Sequence, residues 1–166
     1  MSTQFFSFSD DTPFSTEAVL VNASSSHYEE DWPSIPHTHA FTELFYVSEG
    51  SGEFLIENQR FSIKKDDLII VNPHIQHTET SLSASPLSYY TVGVDGISFS
   101  FQDQKEFQIF HCRQKHADLL FYFHSLFQEL DEKNDGYEEI CKHTLAILIS
   151  QLRRFAVSDF QLFPSF

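Results

Sequence analysis

Three imidazoles and a carboxylate stand out by type and spacing. They are His37, His39 and Glu43 in "PHTHAFTELFYVSEG" (residues 36–50), and His77 in "NPHIQH". Residues two apart point to the same side of an extended chain, so His37 and His39 share a face. Neutral imidazole suits zinc, nickel, iron or copper, and a carboxylate adds the charge a divalent ion favours. The same four groups also fit a polar cavity in which they hydrogen-bond only among themselves. Either reading sets a geometric condition. Run straight, residues 37 to 43 would hold His37 about 20 Å from Glu43, too far for a shared ligand. The chain must therefore turn between Thr38 and Thr42, and Glu43 must open the next strand facing the same interior. Glu43, Phe45 and Val47 then line one face of that strand, and Leu44 and Tyr46 the other. His77 arrives from elsewhere: after the run DLIIV, Asn72-Pro73 turns the chain and His77 re-enters a strand.

The elements needed to hold these residues are legible around them. From Glu17 the texture is β, with EAVLVNA, FTELFYV, EFLIE, DLIIV, LSYYTVGV, ISFSF and FQIF in succession up to Cys112. Turn chemistry (EGSG, ENQ, KKDD, NP) separates them, and many short strands so spaced predict an antiparallel sandwich or barrel. Then the period changes. HADLLFYFHSLFQELDEK and GYEEICKHTLAILISQLRRF have the length and spacing of helices. Leu119, Phe123 and Phe127 form an i, i+4 row in the first, with Leu126 and Leu130 alongside. In the second, Ile140, Thr144, Leu148 and Leu152 form one row, Cys141, Leu145 and Ile149 another, and Ile147 lies on a further face. The loop EKNDG is short enough for an antiparallel helix pair. One apolar face of the second helix covers the barrel; the other is expected to pair with a second copy, giving a homodimer through the C-terminal helices.

Composition narrows the classes of function. A chain of 166 residues is one domain with a sizeable core, and 19 phenylalanines supply apolar surface. The formal net charge of -14, with no long Lys/Arg run, argues against nucleic-acid binding by this polypeptide alone. Cys112 and Cys141 are too few and too far apart for a zinc ribbon or a disulfide scaffold, which points to a reducing compartment. No signal peptide or membrane span is evident, so a soluble cytoplasmic protein without membrane partners is expected. Residues 1–16 read as a Phe-dotted arm that docks elsewhere, and AVSDFQLFPSF as a tail with no element to join.

HTHAFTELFYVSEG fits the first cupin motif (HxH, three residues, E, six residues, G), and DDLIIVNPHIQH resembles the second. Asp66 stands where the second motif has its Gly, Pro73 is one place closer to the His, and Ser81 replaces an Asn. More narrowly, ELFYVSEGSGEFLIENQRFSIKKDDLIIVNPHIQHTE resembles the N-terminal sensor domain of AraC-family transcription regulators. The likeness covers roughly residues 17 to 156. It implies a mainly β fold, a cupin-like antiparallel barrel of jelly-roll type followed by two antiparallel helices that dimerise. It also implies a small polar effector, such as a sugar, in the barrel. DNA would be bound only through a C-terminal helix-turn-helix part not found after Phe155. The expected division is an arm (1–16), a barrel (17–112), a two-helix dimerisation unit (113–156) and a linker stub (157–166).

The resemblance makes His37, His39, Glu43 and His77 the candidate ligands for a divalent ion such as zinc, nickel or iron. They are also candidate effector contacts, together with the inward Phe45. Trp32, just before the HxH, can line the mouth or pack against the rim. Tyr89 and Tyr90 alternate faces, so one points inward, and Tyr90 is taken as that one. No nucleophile-and-base arrangement, phosphate loop or paired catalytic carboxylates occurs. The reading is therefore of a sensor rather than an enzyme with a required cofactor. The alternative is a stand-alone metal-dependent cupin enzyme, an isomerase or dioxygenase, which the HxH…E…H set alone would favour.

Overall fold

The run TELFYVSE, β2 (Thr42–Glu49), carries apolar residues on both faces, and both faces are buried. Phe45 and Val47 pack into the space between two sheets, while Leu44 and Tyr46 pack under helices. A strand covered on both sides loses the usual apolar–polar alternation, which is why this run reads as almost continuously hydrophobic. The computed structural model describes residues 4, 18–29, 33–101, 104–112, 117–156 and 160–163. The arm read at residues 1–16 lies outside these, apart from Gln4.

Around β2 lie β1 (Val19–His27), β7 (Ser88–Asp95), β5 (Asp67–Val71) and β9 (Phe107–His111), paired antiparallel in the order β1-β7-β2-β5-β9. A second sheet of β3 (Ser51–Ile56), β4 (Gln59–Lys64) and β6 (His77–Ser81), in the order β4-β3-β6, faces it. The fold is mainly β, an antiparallel cupin-like barrel with two helices after it, as the sequence predicts. Turn residues close the strands where they were read. Glu57 and Asn58, both at positive φ, form the two-residue turn between β3 and β4. Asp66, standing in for the motif glycine, itself takes a φ of 70°, a conformation Asp tolerates better than most residues. Gly50 is less replaceable, because a Cβ there would lie 1.9 Å from the Pro86 carbonyl oxygen.

The helices α1 (Ala117–Glu132) and α2 (Tyr137–Ala156) follow the barrel and pack on its five-stranded sheet. Leu119, Phe123, Leu126 and Phe127 are the buried residues of α1, the row read from the sequence. On α2 the expectation of an uncovered second apolar face needs correction. Thr144, Leu148 and Leu152 of one row and Cys141, Leu145 and Ile149 of the other are all buried within a single chain. The barrel covers one side of α2 and α1 the other, so no second copy is needed for them. Of the residues named on α2, Ile140 and Ile147 stay exposed, at 43% and 40%. A second correction concerns the tail: β10 (Phe160–Phe163) pairs antiparallel with β8 (Ser98–Phe101), so residues read as a linker stub supply a strand. No helix among the described residues is long and apolar enough to cross a membrane.

The covering of α2 can be checked by truncation. Leu148→Ala is expected to lower the unfolding free energy by about 2–5 kcal/mol, and Ile147→Ala by less than about 1 kcal/mol. Urea denaturation followed by circular dichroism measures both. Equal costs would mean that α2 is rotated from the face described.

Candidate functional site

The two halves of the site are joined through the backbone. His37 and His77 exchange a pair of amide-to-carbonyl hydrogen bonds, each 3.0 Å, forming a bridge between segments that belong to no common strand pair. The amide of His74 donates to the carbonyl of His39 at 2.7 Å, tying the same two loops at a second point. His37 and His39 sit in the connection leading into β2, Glu43 near the start of β2, and His77 at the start of β6. The turn demanded between Thr38 and Thr42 falls at Ala40 and Phe41.

All four residues read from the sequence converge. One ring nitrogen from each of His37, His39 and His77 lies within 4.8 Å of the other two. Glu43 stands between two of them, Oε2 being 3.2 Å from His39 Nε2 and Oε1 3.2 Å from His77 Nε2. Those distances lie in the range of ion-pair attraction, yet both Nε2 atoms are buried and lack an aligned hydrogen-bond partner. On His37 and His77 the other nitrogen is occupied. Nδ1 of His37 lies 3.0 Å from the Ile35 carbonyl and Nδ1 of His77 2.9 Å from that of Ile75. A carbonyl accepts only, so each Nδ1 carries the proton and each Nε2 of a neutral ring keeps its lone pair for the site. Orienting the far nitrogen in this way is how proteins prepare imidazole for metal. The residues present fit a divalent ion.

Burial alone would raise the Glu43 carboxyl, but the His39 and His77 imidazoles 3.2 Å from its oxygens outweigh it and hold the group at about 2, below its ordinary 4.5. His77 is pushed the other way. Burial would lower it, and Glu43 raises it overall above 6.5. Two stacked rings set the imidazole planes, Phe41 on His39 and Phe54 on His77.

A cavity of about 390 Å³ opens beside this cluster, lined by His37, His39, Glu43 and Phe45 and walled by Ser24, Ser26, Thr78, Glu79, Tyr89 and Thr91. Phe45 stacks on Tyr89 with ring centroids 4.3 Å apart, forming a flat apolar wall. Tyr89, not Tyr90, is the inward tyrosine. Tyr90 faces the helices and stacks on Phe127 at 4.1 Å, so its assignment to the cavity is corrected. Trp32 lies outside the described residues. Tyr89 was one of the two tyrosines weighed from the sequence, but Glu79 and the Ser and Thr residues of the wall were not singled out. The available signal was parity: Glu79 is two residues after His77, and Thr91 two after Tyr89.

In the metal-free domain the Glu43 pair ties stability to pH. The depressed Glu43 value contributes stability above pH 4.5 that is lost as pH falls toward 2, and the raised His77 value contributes stability below pH 6.5 that is lost as pH climbs past it. The stability difference between wild type and Glu43→Gln is therefore expected to peak between those limits, at no more than on the order of 3 kcal/mol. Urea titrations across pH with chelator present measure it. A pH-independent difference would exclude the pairing.

Residues 23–149 match the family model described as the AraC-like ligand binding domain. Among curated proteins, none significantly matches the chain in sequence. Among solved structures, an apo variant of ToxT from Vibrio cholerae is similar with a TM-score of 0.54 at 10% identity, over 84% of this chain and 57% of that one. Unsaturated fatty acid bound wild-type ToxT from Vibrio cholerae gives 0.52 at 11% identity, over 81% of this chain and 52% of its own. A cupin protein from Bacteroides fragilis is similar over 55% of this chain and 82% of its own, with 18% identity and a TM-score of 0.40. This chain thus spans a little over half the length of the ToxT chains. The matched segment runs from the middle of β1 to the last turns of α2, and the chain belongs to the family of AraC-like ligand-binding domains.

Proposed function

We propose that the domain is the effector-sensing and dimerising part of an AraC-type transcription regulator, and that a small polar molecule, a sugar or similar metabolite, binds in the barrel cavity. The observation that carries this reading is the cavity itself. In a ligand-binding family it brings four hydroxyl side chains, a stacked Phe45–Tyr89 wall and the His/Glu cluster to one space. Aromatic faces with convergent hydroxyls suit a polyhydroxylated ligand better than a long alkyl chain. ToxT has been solved bound to an unsaturated fatty acid; the polar wall here favours a different class. DNA binding is assigned to a further part of the regulator, because residues 1–166 carry a net charge of -14.

His37, His39, Glu43 and His77 are proposed as the set that would hold a divalent ion, and the first three of these with Phe45, Tyr89 and Thr91 as effector contacts. A bound ion would supply a Lewis-acidic point for an oxygen of the effector. Residues 17–112 and 113–156 are taken as the barrel and dimerisation units. The dimer is proposed to form through the exposed stripe of α2 marked by Ile140 and Ile147, now that the other rows are accounted for.

Two measurements test this. Elemental analysis of protein purified without added metal is expected to give about one zinc, nickel or iron per chain, falling at least tenfold in a His37→Ala/His77→Ala double variant. A metal content near zero in wild type would remove the ion. Turnover of a metabolite by the metal-loaded protein would favour a cupin enzyme. Sedimentation at micromolar concentration is expected to give a dimer that Ile147→Glu dissociates without unfolding. A wild-type monomer would overturn the dimer.

A further inference from the structure

Glu79 differs from the other buried carboxylates in what faces it. It follows His77 by two residues on β6, so its side chain enters the same cavity, and it is only 6% exposed. Oε1 accepts a hydrogen bond from the Tyr89 hydroxyl at 2.5 Å, and this is its one hydrogen bond to a described residue. Glu43 is served by His39 and His77, and Asp67 by His111 and the Lys64 amide. Glu79 has no cation of its own. Among the described residues no Lys or Arg lines the cavity. None precedes Arg60 in the sequence either, and the chain before that point supplies most of the wall. The His39 and His77 rings both have Nε2 against Glu43 at 3.2 Å, so neither imidazole is given over to Glu79.

Withdrawing a carboxylate from water costs several kcal/mol unless a charge or several donors compensate it. Tyr89 supplies one donor. The second oxygen is left for whatever enters the cavity; outside the His37, His39 and Glu43 cluster, the remaining polar side chains of the wall are the neutral hydroxyls of Ser24, Ser26, Thr78 and Thr91. We propose that Glu79, held by Tyr89, is the charge-selecting contact of the cavity and that the effector presents an ammonium group to it, as an amine or amino sugar would. This rests on the reading of the cavity as an effector pocket. An ammonium forms a charge-assisted hydrogen bond with the free oxygen, the Phe45–Tyr89 face stacks on the body of the ligand, and the hydroxyls take its remaining polar groups. A ligand carrying a carboxylate would instead bring like charges together in a desolvated space.

Glucosamine, glucose and glucuronate share one ring and differ in charge, so they isolate this contact. The probes are titrated into the labelled domain with chelator present and followed by NMR. Glucosamine is expected to shift the amide signals of Thr78, Glu79 and Tyr89 and to bind at least roughly tenfold tighter than glucuronate, with glucose between them. In Glu79→Gln the three affinities are expected to fall within about twofold, since the amide keeps an acceptor for Tyr89 but loses the charge. Should that variant fail to fold, salt on the wild type decides: it weakens glucosamine and spares glucose. Glucuronate binding as tightly as glucosamine overturns the proposal. So does a ranking that survives in Glu79→Gln, a salt-insensitive glucosamine affinity, or glucosamine that leaves those three signals unmoved. An effector without an amine that regulates DNA binding would sink this assignment and leave the sensor reading intact. An amine that binds here without changing DNA binding of the complete regulator would do the reverse.

Discussion

The pair of 3.0 Å backbone hydrogen bonds between His37 and His77 is the constraint on which the site depends. It lies outside every regular strand pair, so neither sheet dictates it. Without it, the segment before β2 would have no reason to return to the mouth of the barrel. With it, two imidazoles from one loop meet a third from the opposite sheet, and Glu43 completes the group from β2. A backbone bridge has a further consequence. It fixes the positions of both Cα atoms, so the Nδ1 contacts to Ile35 and Ile75 need only choose the ring orientation. Side-chain entropy is spent once, during folding, and ligand binding need not supply it.

Burying an ionised carboxylate is tolerable here because the partners arrive on the same scaffold. Desolvation works against charge on Glu43, and the two flanking imidazoles reverse the sign. The arrangement is self-consistent but not fully saturated. Two Nε2 atoms approach Glu43 without hydrogen-bond alignment, a geometry that suits lone pairs aimed at a common third body more than it suits direct pairing. Glu79 is the complementary case, saturated on one oxygen and open on the other.

Much of this was legible in the sequence, for identifiable reasons. The HxH…E…G spacing fixed which side chains had to converge, and the turn it required is found at Ala40 and Phe41. The helices were legible because their apolar rows recur every three to four residues. The inward tyrosine was not, because Tyr89 and Tyr90 are chemically equivalent and only parity separates them. That parity is set by the cross-strand register, Val47 opposite Tyr89 and Tyr46 opposite Tyr90, with a bulge just beyond Val47. The coverage of α2 was also out of reach. Two apolar rows look like one too many for a helix on a barrel, until a second helix of the same chain is seen to take the other side. The pairing of β10 with β8 depends on a neighbour some sixty residues away, which local pattern does not reveal.

The same parity links the cavity to the helices. On β2 the inward residues Glu43 and Phe45 alternate with Leu44 and Tyr46, and on β7 the inward Tyr89 and Thr91 alternate with Tyr90 and Val92. Tyr46 stacks on Phe123 at 5.3 Å and Tyr90 on Phe127 at 4.1 Å, so the wall residues Phe45, Tyr89 and Thr91 each have an immediate chain neighbour seated on α1. Close-packed interiors do not absorb displacement smoothly, and a shift of either strand must be taken up by those stacks. α1 in turn holds α2, where Cys141 lies against the Leu126 carbonyl. A ligand that favours one position of β2 or β7 therefore favours one seating of the helix pair, by no more than its difference in affinity for the two. The route from cavity to helix surface is two residues long, and it runs across the sheet rather than around it.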